Sequence, residues 1–164
     1  WVFFPKSIVS GAILLAAAAL NGARLLRWRG FATTAEPLLA ILHLAYFWIV
    51  VGAALLGASI LGDHVPEPAA IHALTAGAMG TMVLAVMSRV SLGHTGRMLH
   101  ADAITTMSYA AITLATLTRI AAACLPSLYA PLISLSGVLW IASFGIFVAY
   151  YGPMLLAPRA DGLR

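Results

Sequence analysis

Residues His72–Arg97 read HALTAGAMGTMVLAVMSRVSLGHTGR. An imidazole heads an apolar run that contains two glycines and ends in an arginine and a short polar loop with a second histidine. The run is long enough, with what precedes it, to cross a bilayer, because about 20 residues at a rise of about 1.5 Å each span the hydrocarbon core. Imidazole is a good ligand for haem iron and copper, and an ionisable side chain in hydrocarbon is costly without a role. This stretch therefore poses two questions together: whether the chain is a membrane bundle, and whether it holds a metal cofactor.

The composition outside the stretch answers the first. Of 164 residues, 62% are hydrophobic and 9% charged, with mean hydropathy +0.99, whereas a soluble domain carries about 25% charged residues. The basic residues are scattered between apolar runs as membrane-flanking anchors are, so the net charge of +4 does not point to nucleic acid. The single Cys124 excludes an internal disulfide and a cysteine metal cluster. No signal-peptide pattern is visible in the opening WVFFPK.

Five apolar runs are candidate spans, at about 5–20, 37–61, 68–90, 103–125 and 128–156, the last interrupted by Pro131 and Pro153. The expected fold is an all-α polytopic transmembrane bundle forming a single domain over 1–164. Arg24, Arg27, Arg29, Arg89, Arg97, Arg159 and Arg164 fall on one side of such a bundle. Cytoplasmic loops concentrate Lys and Arg, which predicts an N-out, C-in orientation. Residues 21–36 read as a short interfacial turn, with Arg24, Arg27 and Trp28 in the headgroup zone.

Four residues are candidate ligands or cofactor contacts: His43, His72, His94 and Arg119. His43 lies near the inner end of the second run and His72 near the outer end of the third. By helical rise each is roughly 9 Å from its helix midpoint, and the two are about 18 Å apart along the membrane normal. One metal ion at ligand distances of about 2 Å does not reach both. Two loci follow: an inner one combining His43 with His94, and an outer one built on His72. Arg119, near the outer end of the fourth run, matches a carboxylate such as a haem propionate bidentately. Thr75, Met79 and Met82 are expected on the His72 face, and thioethers suit Cu(I). The pairs Ala73/Gly77 and Ala76/Gly80 let a helix or a flat macrocycle approach the backbone. His64 and His100 read as solvated or interfacial. There is no C-x-x-C-H, H-E-x-x-H, P-loop or dinucleotide fingerprint, and no acidic pair within a span, which argues against a simple proton-coupled transporter.

Three segments, NGARLLRWRG at 21–30, EPLLAILHLAYFW at 36–48 and the opening stretch at 72–97, resemble the NnrS family of bacterial membrane proteins. The resemblance implies a multi-pass protein of the bacterial cytoplasmic membrane that binds haem b, copper or both, associated with nitric-oxide metabolism, denitrification and resistance to nitrosative stress. His43, His72 and His94 are the ligand candidates it carries over. Family members are longer, and the similarity lies in their C-terminal part. A site built between halves would then draw on a partner subunit or a second copy, besides membrane lipid. The competing expectation is a non-catalytic helical scaffold within a larger membrane complex, and a third is a transporter or channel. The resemblance names no reaction, so whether the protein is an enzyme stays open.

Overall fold

In the computed structural model, which describes residues 2–62 and 65–162, every regular element is a helix. Trp1, Asp63, His64, Leu163 and Arg164 lie outside the described residues. Helices α1 (Ile8–Arg27), α2 (Pro37–Leu61), α3 (Glu67–His72), α4 (Thr81–His94), α5 (Ala103–Cys124) and α6 (Tyr129–Leu156) follow in order, with a π-helical stretch at Ala73–Gly80. α3, the π stretch and α4 form one span over Glu67–His94, so among the described residues five helical segments are long and apolar enough to cross a membrane.

The first helix runs further than hydropathy predicts. It continues through Asn21, Arg24 and Arg27, and only residues 28–36 form the turn. Asn21 donates to the Ala17 carbonyl at 2.7 Å and accepts from the Tyr46 hydroxyl at 2.5 Å, so its polar group is satisfied within the helix pair. The Arg24 guanidinium lies 5.3 Å from the Trp28 ring centre. Basic residues in a last turn also suit the helix dipole. α6 runs unbroken past both of its prolines, as one span over 128–156 requires. Pro131 falls in the first turn, where its missing N–H had no partner to lose, and Pro153 is accommodated inside the last turn.

The third span is the centre of the bundle. α2 packs on α1 and on α3, the π stretch and α4; α5 packs on the same three elements and on α6. α1 and α2 approach closely at Gly11 and Gly57, where a Cβ on Gly57 would meet the Gly11 carbonyl oxygen at 2.9 Å. Hydroxyls join α5 to α6. Ser108 and Ser143 each donate to the other's carbonyl at 2.9 Å, and Ser136 donates to the Ala115 carbonyl at 2.8 Å. Small residues bring membrane helices together, and interhelical side-chain bonds of this kind contribute on average about 0.6 kcal/mol each. The apolar outer faces, among them Ile13, Val138 and Val148, are suited to lipid contact.

One end of the bundle carries the 28–36 turn, the 95–102 loop and the tail. There the Ala160 amide donates to the Thr95 carbonyl at 2.9 Å, and His100 sits 3.4 Å from Glu36. In a Cys124→Ser background, a membrane-impermeant thiol reagent applied outside should modify Glu67→Cys and spare His94→Cys. Labelling in the reverse order would overturn the N-out arrangement.

Asp102 caps α5 at this end, accepting from the Thr105 amide at 2.8 Å and from the Tyr150 hydroxyl. Burial pushes its carboxyl up, but the hydrogen bonds from Tyr150 and Thr105 outweigh burial and hold it below its ordinary value. A depressed folded value stabilises above the ordinary carboxylate pKa, and that contribution fades as pH falls toward the folded value. Thermal unfolding of the detergent-solubilised protein should therefore lose stability on acidification below the ordinary aspartate range. Asp102→Asn should flatten that decline; an unchanged pH profile would remove Asp102 as its source.

Candidate functional site

His72 is the last residue of α3, and the π stretch begins at the next residue. π-helices are rare, usually a single turn, and concentrated at functional sites. Here the stretch covers eight residues. Its small residues permit the geometry. A Cβ on Gly77 would stand 2.8 Å from Trp48 Cγ and 3.1 Å from Thr116 Cγ2, so only glycine lets the π turn seat between α2 and α5. Two buried polar groups near it have no hydrogen-bond partner among the described residues, the Trp48 indole N–H and the Thr81 hydroxyl.

On the other side of the third span lies a cavity of about 690 Å³. Its walls are His72, Thr75, Ala76, Met79, Gly80 and Val83 from the third span, Arg119 from α5, and Ser136, Gly137, Trp140, Ile141 and Phe144 from α6. A second cavity, of about 460 Å³, is bounded by Pro68, His72, Arg119, Ala122, Ala123, Pro126, Tyr129 and Ile133. His72 and Arg119 line both, so the two meet at this pair. The second cavity lies toward the helix ends at Pro68 and Pro126, and the first runs inward along α4 and α6.

The polar groups of the larger cavity are sorted by what they already do. Thr75 donates to the Ile71 carbonyl at 2.8 Å, and the Ser136 hydroxyl is committed to Ala115. His72, Arg119 and the Trp140 N–H have no hydrogen-bond partner among the described residues. The two ion pairs found among those residues, His100–Glu36 and Arg159–Asp161, lie elsewhere. A half-buried guanidinium inside a span without an anion is costly, which makes an acidic ligand group its natural complement.

The remaining candidates occupy the opposite end. The His43 ring nitrogen Nδ1 donates to the Leu39 carbonyl at 2.9 Å, leaving Nε2 as the lone-pair nitrogen. The ring stands edge-on to Trp28 at 6.2 Å between centres and packs on Gly30. His94 is exposed at the end of α4. The contacts of His43 are with Trp28, Gly30, Thr33 and Leu39, none with His94. The structure thus brings His72 and Arg119 to the same two cavities, while among the described residues no hydrogen bond or ring contact joins His43 to His94. Among the described residues no three His, Cys, Asp or Glu side chains converge as a metal site.

The expected helical face is corrected in one place. Val83, not Met82, completes the His72 wall, because three helical turns take about eleven residues rather than ten, and the wider π turn does not shorten that count. Sequence reading also missed Trp48 and Trp140. Nothing in the local pattern marks either; the α5–α6 contact that places Arg119 also went unread, though the seven-residue spacing of Ser108/Ala115 and of Ser136/Ser143 is a signal for it.

A family model described as NnrS protein matches residues 1–159 of the chain. Comparison with curated proteins and with solved structures found no match.

Proposed function

Since the chain belongs to the NnrS family, we propose that it is a multi-pass membrane protein of nitric-oxide metabolism or nitrosative-stress resistance in the bacterial cytoplasmic membrane, with a haem-binding site at His72 and Arg119. The observation that carries this reading is the pairing, at the junction of two cavities, of a free imidazole with a guanidinium that has no anion among the described residues. Haem iron is held by as little as one axial histidine, and Arg119 supplies the cation for a haem carboxylate. A cavity of about 690 Å³ falls within the 300–1,000 Å³ usual for small-molecule and cofactor sites. When bound, the haem supplies one-electron chemistry and a coordination position for a diatomic ligand; the chain's own residues orient it, compensate its carboxylate and exclude water.

The donor set fits copper less well. Copper sites combine several nitrogen and sulfur donors, and the described residues offer His72 with Met79 at one end and the separate His43 and His94 at the other. A copper ion at His43 and His94 draws further ligands from outside them, for example from a partner chain.

Absorbance and metal analysis of the purified full chain, expressed with ample haem, test the reading. A Soret band supports it, and a colourless protein overturns it. Bound copper that falls in both His43→Ala and His94→Ala would establish the inner pair as a second locus; copper retained in both would remove that pair.

A further inference from the structure

The larger cavity is bounded on its outer side by residues that face the membrane. Met79 is 60% exposed, Val83 43%, Trp140 43% and Ile141 69%. Met79 and Val83 lie near the midpoint of the Glu67–His94 span, and Trp140 and Ile141 near the midpoint of α6. The gap between the third span and α6 therefore opens at mid-bilayer depth. The charged and titratable lining, His72 and Arg119, is confined to the cavity's other end. The floor between is narrow-shouldered: Ala76, Gly80 and Gly137 leave it free, and a Cβ on Gly137 would meet nothing within 4 Å. Gly137 adjoins the Ser136–Ala115 bond, and Ala115 is one helical turn from Arg119, so this floor reaches the His72–Arg119 pair.

We propose that the gap between the third span and α6 is a lateral doorway through which uncharged, membrane-dissolved diatomic molecules reach the His72–Arg119 pair from the bilayer interior. Ions do not take this path, because bringing a charge to the middle of the hydrocarbon costs several kcal/mol. An apolar diatomic faces no such barrier and is already present in the hydrocarbon. The second cavity approaches the same pair from the helix ends, at Pro68 and Pro126. The doorway rests on the haem reading for what the travelling molecule meets, and on the cavity's shape and setting for its route.

Spin-label collision measurements test the route without any cofactor. In a Cys124→Ser background, a nitroxide is placed at Gly137→Cys in the full chain reconstituted into phosphatidylcholine vesicles. Dioxygen, an uncharged diatomic that concentrates in lipid, and a water-soluble nickel chelate are the two relaxing probes. At position 137 dioxygen collisions should dominate. Adding Ile141→Trp at the doorway should lower them several-fold while leaving those at a label on Val148→Cys, exposed on α6 beyond the cavity lining, unchanged. Nickel-dominated relaxation at position 137 would overturn the doorway, and so would a dioxygen signal there that Ile141→Trp does not alter. The Soret band of the unlabelled protein is read separately. Its absence with the doorway intact refutes the haem site alone, and its presence with a failed doorway refutes the route alone.

Discussion

His72→Ala is expected to abolish the Soret band of the purified protein, while Arg119→Leu is expected to keep the band and lower the reduction potential. The two residues share both cavities, but they act through different physics. An axial nitrogen forms a bond that no methyl group replaces. A guanidinium acts through its field: at an effective dielectric constant of about 20 and a separation on the order of 10 Å, one charge is worth roughly 1.7 kcal/mol, or about 70 mV for a one-electron couple. Removing a positive charge favours the oxidised state, so the shift is downward. Retention of the full band in His72→Ala would eliminate His72 as ligand. A potential unchanged in Arg119→Leu would mean that the guanidinium does not face the cofactor. Circular dichroism should show both variants fully helical, since neither side chain has a hydrogen-bond partner among the described residues.

The second large effect is on stability. Gly77→Leu should lower the thermal midpoint of the solubilised protein sharply, because its Cβ would sit 2.8 Å from the Trp48 ring and 3.1 Å from Thr116. Trp48 and Thr116 are both buried, so neither gives way freely, and overpacking of this kind costs about 1–3 kcal/mol or more. Gly137→Leu is the matched control. It adds the same side chain where a Cβ meets open space, so it should leave the midpoint nearly unchanged while filling the cavity and weakening haem retention. Equal midpoints for the two variants would contradict the close packing of the π turn.

Much of the bundle was legible because membrane spans follow from length and hydropathy, and those are sums over many residues. The second span was placed at the residues it occupies, 37–61. The end of the first was not, because Arg24 looks like a loop residue until the Trp28 ring, itself packed on Tyr46, is known to receive its guanidinium. His72 and Arg119 were legible as neighbours in depth, since both count inward from the same membrane face. That they border one cavity depended on the α5–α6 hydroxyl contacts and on the rotation of the third span, which hydropathy does not encode. Whether His43 and His94 share a side of the bundle is not legible for the same reason: depth gives height along the normal and says nothing about azimuth. The π turn was invisible because Ala, Gly and Thr read equally well as α-helix; only Trp48 pressing on Gly77 distinguishes the two, and that is a contact across the bundle.

The π stretch also sets a phase relation. With about 3.6 residues per turn, each residue added to or taken from a helix rotates everything beyond it by about 100°. Within residues 73–80 the third span holds a surplus that a regular helix would not, so α3 and α4 are offset in azimuth as though by a gear tooth. Removing a single residue there lets the helix relax to ordinary winding, and if α4 stays locked against α2 and α5, the turn falls on α3. His72 would then swing away from Arg119 without any substitution at either position. Along the third span, then, an in-frame codon deletion within 73–80 is expected to cost the His72–Arg119 pairing even where both side chains are kept.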